Sequence, residues 1–294
     1  MERTAGHIAI LFSCLIFSTN IIVTDALTGI WLTPLGYTLT RLIYGTIALW
    51  GIGLFLPSEE VALRDLGILA IGGLLGLVVS QLAFAASVQF TSPINFSLIM
   101  AMVPVMVLLL SLLFLGEILS WKKLAGIALS VIGAVIIIRQ KQGGSMETPA
   151  NLLGISIAFL SMASYAGYLV ITRHVTQKYR SVTILKWMFL FSVILLLPFT
   201  AGVLPEQRMF SAEVTTEAAG QLLFILIFDG TLVYFSLLIA LNRLKATTVS
   251  TYLNFLPVFT SVIAIATGQG VMTIAAAVAI ALVTSGVLLV TRSR

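Results

Sequence analysis

Residues 139–151 read Arg139-Gln140-Lys141-Gln142-Gly143-Gly144-Ser145-Met146-Glu147-Thr148-Pro149-Ala150-Asn151, a polar stretch between two long apolar halves. Paired glycines and a Thr-Pro step favour turns over a continued helix, so the stretch reads as a connector. Apolar runs dominate on both sides of it. Of 294 residues, 59% are apolar and 9% charged, against roughly 45–50% and 25% in soluble domains. With 16 basic and 11 acidic side chains the chain cannot cover a water-soluble surface of this size, and its solvent is therefore lipid. The net charge of +5 is spread between apolar runs and forms no basic stripe, which excludes disorder and a nucleic-acid partner.

A helix needs about 20 mostly apolar residues to cross a bilayer core of roughly 30 Å. Charges, prolines and polar clusters divide the chain into ten such stretches, near 8–24, 34–56, 66–88, 94–115, 123–138, 152–172, 182–204, 219–241, 246–267 and 271–291. The fifth is the shortest and is kept because the tenth, its counterpart in the repeat below, is longer and similar. Lysine and arginine are retained on the cytoplasmic side. With the N-terminus inside, twelve of the 16 fall in cytoplasmic stretches, Arg139, Lys141 and Arg208 fall outside, and Arg41 lies within a span. Both termini are therefore expected in the cytoplasm, with the protein multi-pass in the cell (inner) membrane. The first run is read as a span and not as a cleaved leader, since Asp25-Ala26-Leu27-Thr28 offers no small-residue cleavage site. Trp31, Trp121 and Trp187 stand near expected span ends, where an amphipathic ring favours the headgroup zone.

Laid on itself, the sequence repeats. A shift of 148 places Gly6 on Gly154, Ser13 on Ser161, Phe17 on Tyr165, Asn20 on Tyr168 and Thr24 on Thr172. A shift of 154 places Gly76 on Gly230 and Ala86 on Ala240, and a shift of 153 places Pro104-Val105 on Pro257-Val258 and Gly133 on Gly286. The landmarks keep their order, which divides the chain into a first unit, 1–140, a linker, 141–151, and a second unit, 152–294. Five spans is an odd number, so the second unit enters the membrane from the opposite side. The expected fold is an all-α integral membrane protein: ten transmembrane helices as two inverted five-helix repeats around a central cavity. Halves related by a pseudo-two-fold axis in the membrane plane can open such a cavity to each side in turn.

The stretch Leu113-Phe114-Leu115-Gly116-Glu117-Ile118-Leu119-Ser120-Trp121, followed by Gly126 and Gly133, resembles the fourth-to-fifth span signature of the EamA branch of the drug/metabolite transporter superfamily. The likeness runs over nearly the whole chain and includes the prolines Pro104 and Pro257 and the second-span Arg41. In the second half Gln269-Gly270 stands where the first has Gly116-Glu117, so no role is carried over to that glutamate. The resemblance implies secondary transport, usually export of amino acids or other small metabolites, without nucleotide hydrolysis.

Polar atoms in lipid cost several kcal/mol unless they meet a partner or a wet cavity. Ser161, Ser164, Tyr165, Tyr168 and Thr172 recur at helical steps in the sixth span, Ser13, Asn20 and Thr24 do so in the first, and the two stripes coincide under the repeat. Thr247, Ser250, Thr251, Asn254 and Ser261 form a third stripe in the ninth span, and Asn95 opens the fourth. These stripes line a shared path or bond helix to helix, and both readings are open. Asp229 lies near the middle of the eighth span among Ile225, Phe228 and Leu232, where a lone carboxylate must be protonated, paired or wetted. It could carry a proton, meet a substrate's ammonium group, or neutralise Arg41. Arg41 could snorkel outward or present its planar fork to a carboxylate. Gln81 and Tyr234 are further candidates for lining, and Pro104 and Pro257 are expected to bend equivalent helices as hinges.

Conventional catalysis finds little support: His7 and His174 sit near cytoplasmic span ends without metal-ligand spacing, and no Walker-type glycine-lysine motif occurs. The single cysteine, Cys14, excludes an intrachain disulfide and reads as a packing residue. No cofactor, metal or catalytic residue is expected. The leading expectation is an exporter of small metabolites such as amino acids, proton-coupled through Asp229, with the substrate, the bilayer and protons as partners. Competing readings are an uncoupled facilitator or importer, a membrane-embedded enzyme acting on lipid, and a receptor or scaffold.

Overall fold

The computed structural model of the chain describes residues 2–90, 96, 99–141, 152–200, 202–256, 258–259, 262–263 and 274–292. Helix α1 is Glu2–Leu27, α2 is Pro34–Gly53 and α3 is Leu63–Phe90. Helices α4, Val103–Phe114, and α5, Trp121–Lys141, complete the first half. In the second, α6 is Leu152–Val175, α7 is Ser181–Leu196, α8 is Thr216–Arg243, α9 is Ala246–Tyr252 and α10 is Ile274–Arg292. Helix starts follow local chemistry. Thr33 accepts a hydrogen bond from Gly36 N at 3.1 Å and Pro34 opens α2, where a missing N–H costs nothing. Thr215 caps α8 in the same way through Ala218 N at 3.2 Å.

Among the described residues, five segments are long and apolar enough to cross a membrane: Arg3–Thr24, Leu63–Phe90, Leu152–Val175, Ser181–Phe199 and Thr216–Arg243. Val103–Phe114 and Ala277–Arg292 are shorter apolar helices. Large apolar side chains such as Ile8, Ile47, Leu109 and Ile194 stand more than half exposed on the outer faces, as suits a surface solvated by hydrocarbon. The proline expected to bend the fourth span does something else. Ala101 and Met102 form a turn, and Pro104 falls in the first turn of α4, so the helix restarts there and no mid-helix hydrogen bond is lost. Pro257 and Asn95 lie outside the described residues.

Helix contacts have a mirrored wiring. Helix α1 packs on α8 as α6 packs on α3, α2 meets α8 as α7 meets α3, and α1 meets α9 as α6 meets α4. Equivalent helices also meet one another: α2 with α7, α4 with α9, α5 with α10. The last pair is the most closely packed. A Cβ added to Gly126 would fall 2.7 Å from the backbone oxygen of Gly286, and one added to Gly133 would fall 2.7 Å from that of Ala279. The two helices therefore run antiparallel. Under the shift of 153 that superposes Gly133 on Gly286, Gly126 falls on Ala279, so each contact is the image of the other.

Both third helices of the halves contain a π-helical stretch, Leu74–Val79 in α3 and Ile225–Val233 in α8. The shift of 154 lays the first inside the second. Ser13 of α1 donates to Val233 O at 3.3 Å and Ser161 of α6 donates to Ser80 O at 2.8 Å, so superposed serines tie the first helix of each half to the end of the other half's π turn.

Gly286→Val places a branched side chain against the α5 backbone, and overpacking of this kind costs about 1–3 kcal/mol. Thermal unfolding of detergent-solubilised protein is expected to show a lower midpoint for this variant, whereas Gly51→Ala, with open space around it, leaves the midpoint near the wild-type value.

Candidate functional site

The site is assembled from α2, α3 and α8, with α1 behind it. Arg41 on α2 and Asp229 in the π stretch of α8 are both buried, and Arg41 Nη2 stands 2.5 Å from Asp229 Oδ2. Arg41 Nη1 donates to Gln81 Oε1 on α3 at 2.6 Å and to the Tyr37 hydroxyl at 3.2 Å. Tyr37 precedes Arg41 by one helical turn, which puts both on one face of α2; the guanidinium also lies over its ring, 5.2 Å from the centroid. From Tyr37 the network continues to α1, through Thr24 Oγ1 at 3.0 Å and Asn20 Oδ1 at 3.4 Å. Thr24 donates to Asn20 Oδ1 in turn, at 3.1 Å.

Charges this deep are tolerated because they neutralise each other and the guanidinium is hydrogen-bonded. Removing one member of a buried pair costs about 3–5 kcal/mol, since the other is left uncompensated. Gly230 borders the pair at ordinary van der Waals range: a Cβ there would lie 3.9 Å from Arg41 Nε, and the π geometry around Asp229 offsets it from the ordinary helical register. Arg41 does not snorkel outward.

Aromatic rings fill the space beside the pair. Tyr165 and Tyr168 on α6 and Tyr234 on α8 are buried, and ring centroids run Phe17–Tyr165 at 6.5 Å, Tyr165–Tyr168 at 5.8 Å, Tyr168–Tyr234 at 6.3 Å and Tyr234–Phe189 at 6.0 Å. Tyr168 lies on bare backbone: a Cβ on Gly76 would come 2.5 Å from its Cγ. The Tyr234 hydroxyl donates to Gly76 O at 3.2 Å. Beside the pair lies a pocket of about 10 Å³ bounded by Arg41, Gln81, Tyr234 and Phe189, room for one water.

Several buried polar atoms here have no hydrogen-bond partner among the described residues: Asn20 Nδ2, Arg41 Nε and the Tyr168 hydroxyl. Apart from its ionic contact with Arg41, the Asp229 carboxylate has none either. Buried polar groups are nearly always satisfied in native proteins, so this cluster is chemically incomplete.

The structure thus brings Asn20, Arg41, Gln81, Tyr165, Tyr168, Asp229 and Tyr234 into one region. Asn254 lies outside this cluster. It follows α9 in a short 3-10 turn, Leu253–Phe255, and donates to Ser130 Oγ on α5 at 2.9 Å, a helix-to-helix bond. Asn95 and Ser261 lie outside the described residues. A further contributor is Tyr37, whose signal is its four-residue spacing from Arg41. Away from this cluster, Gly116 takes φ +60° after α4, and the turned chain brings Glu117, the glutamate of the signature stretch, into an ion pair with buried Lys123 and within 2.8 Å of Thr247 Oγ1 on α9.

Comparison with known proteins agrees with this architecture. A transporter of uncharacterised function from Archaeoglobus fulgidus is 24% identical over 233 residues, 79% of this chain and 77% of that protein. The uncharacterised transporter YyaM of Bacillus subtilis is 24% identical over 199 residues, 67% of this chain and 64% of its own. A second uncharacterised transporter of Archaeoglobus fulgidus is 28% identical over 219 residues, 73% of this chain and 71% of that protein. A protein crystal structure, 17% identical, shares the fold with a TM-score of 0.76 over 99% of this chain and 100% of its own. The family and these relatives are transporters and not enzymes, which removes the lipid-acting enzyme from the readings. Residues 4–139 and again 152–292 match the EamA-like transporter family, a branch of the drug/metabolite transporter superfamily, and the chain belongs to it.

Proposed function

We propose that the chain is a secondary transporter that exports small metabolites, amino acids above all, by alternating access, with Asp229 as the proton-accepting group. The observation that carries this reading is the buried Arg41–Asp229 pair, made by one charge from each half and ringed by unpartnered polar atoms. An amino-acid zwitterion brings a partner for each charge: its carboxylate suits the planar guanidinium, and its ammonium suits Asp229. A proton on Asp229 frees Arg41 in the same way, which would couple the site to a pH gradient. The machinery is ten spans in two inverted five-helix repeats, 1–140 and 152–294 joined by 141–151, with both termini in the cytoplasm and the chain in the cell (inner) membrane. The mirrored helix contacts and the antiparallel α5–α10 pair support this arrangement.

Liposomes containing the purified protein and a radiolabelled amino-acid mixture test the reading. Transport is expected to accelerate under an imposed pH gradient, and Asp229→Asn is expected to abolish that dependence. Gradient-insensitive transport in the wild type would instead identify an uncoupled facilitator or importer, and saturable binding without solute movement a receptor.

The pair's role in stability is separable from its role in transport. Arg41→Gln alone leaves Asp229 uncompensated and is expected to cost about 3–5 kcal/mol, whereas Arg41→Met combined with Asp229→Leu removes both charges at little cost. Thermal unfolding of the double variant near the wild-type midpoint, with transport lost, is the expected result. Wild-type transport by the double variant would show that the pair is only structural.

Inverted halves place the linker and the C-terminus on opposite sides. Single cysteines at Ser145 and Arg294, in a Cys14→Ser background, are expected to react with a membrane-impermeant maleimide from outside and inside respectively. Both reacting from one side would overturn the ten-span topology.

A further inference from the structure

The geometry points to a binding site for the headgroup of a monoanionic phospholipid at the basic end of the fold. A cavity of about 480 Å³ opens there, where the segment after α2, the α6–α7 connection and the last turns of α8 diverge. Its wall combines apolar, cationic and neutral polar side chains with one carboxylate, Glu59. Leu56, Val182, Phe235 and Ile239 supply an apolar side, and Lys178, Arg180 and Arg243 supply the cations.

Charge counting selects the headgroup. Lys178 Nζ is held by Asp65 Oδ2 at 3.1 Å, and Arg180 Nε stands 3.7 Å from Glu59 Oε1. Those carboxylates compensate two of the three cations. Arg243 is exposed and has no ion pair or hydrogen bond from its guanidinium among the described residues, and the Arg180 Nη groups have no partner among them either. The wall therefore keeps one uncompensated positive charge and a set of free N–H donors. A single phosphodiester matches both, since guanidinium forks bind phosphate oxygens in pairs, whereas a zwitterionic headgroup brings a cation that Arg243 repels.

The surroundings place the cavity where lipid can reach it. Leu54 and Phe55, immediately before the wall residue Leu56, are 83% and 90% exposed, as expected of side chains dipping into the acyl-chain boundary. Trp50 one turn earlier donates to Lys186 O at 3.1 Å and lies under the Lys186 ammonium, an aromatic and basic pairing typical of the headgroup zone. The acyl chains would leave along Val182 and Ile239, with the phosphate at Arg243 and Arg180. Basic pockets between transmembrane helices hold anionic headgroups in this way.

The test uses the full-length, delipidated protein in detergent. It is titrated with dioleoyl phosphatidylglycerol, dioleoyl phosphatidylcholine and inorganic phosphate, and bound lipid is counted by native mass spectrometry. One phosphatidylglycerol per chain is expected to bind about fivefold or more tightly than phosphatidylcholine, the factor one basic side chain contributes near an anionic headgroup. Arg243→Gln is expected to remove that preference. Ile239→Trp, which fills the apolar side and leaves every charge in place, is expected to displace the bound lipid while transport in liposomes persists. Equal binding of the two lipids, an unaltered preference in Arg243→Gln, or displacement of phosphatidylglycerol by equimolar inorganic phosphate would each overturn the assignment.

Discussion

A guanidinium and a carboxylate shut away from water must answer each other, and much of this structure is arranged around that requirement. Arg41 and Asp229 meet at 2.5 Å with both side chains buried. Desolvating two ions costs several kcal/mol each, and their attraction offsets this only with good geometry and further hydrogen bonds. Gln81 and Tyr37 supply those bonds to Arg41. The π stretch of α8 carries Asp229 to the guanidinium. Asp229 receives no comparable support beyond its ionic contact. The carboxylate is thus the less satisfied member, and it is the one whose charge a proton can remove.

Around this pair the two halves are built alike and furnished differently. The glycines Gly76 and Gly230 superpose in the repeat, and each lies in a π stretch against which a bulky side chain packs. On Gly76 that side chain is Tyr168, whose ring closes the space. Near Gly230 it is Arg41. Tyr168 itself superposes on Asn20, which is small and reaches the pair through Tyr37. Asp229 superposes on Leu75 under the same shift of 154. One copy of the shared plan is filled by an aromatic ring and the other by an ion pair, so similar backbones hold one apolar plug and one charged centre.

Hydropathy made most helices legible, because lipid demands long apolar runs and each polar interruption marks an end. The stretches read near 66–88 and 219–241 fall inside α3 and α8. Local geometry was less legible. Nothing in Leu74–Val79 or Ile225–Val233 announces a π turn, since the same apolar composition suits an α-helix. Pro104 reads as a bend when its apolar stretch is taken as continuous, yet the turn at Ala101 and Met102 makes it a helix opener. Polar stripes were visible but ambiguous: Asn254 and Ser161 bond to neighbouring helices, and only contacts across the chain separate that use from lining a path. Glu117 stands in the signature stretch, but its partners Lys123 and Thr247 are set by the positive φ of Gly116 and are not legible there.

The placement of the pair bears on how such a molecule could move. Arg41 belongs to the first half and Asp229 to the second, and α2 packs on α8 where they meet. Any motion that parts these helices while both groups are charged exposes two ions to an apolar interior, and the penalty of several kcal/mol holds the halves together. In the proposed cycle a motion becomes accessible when something else takes up the charges: a proton on Asp229, or a ligand that pairs with both groups at once. Each lowers the barrier by the interaction it substitutes, and a ligand that fits both states equally shifts nothing. The pocket beside the pair, about 10 Å³, is too small for such a ligand. In the proposed cycle a ligand that reaches both groups therefore displaces the Tyr234 and Phe189 rings that bound this pocket, so that loading the site and loosening the packing around it are one event.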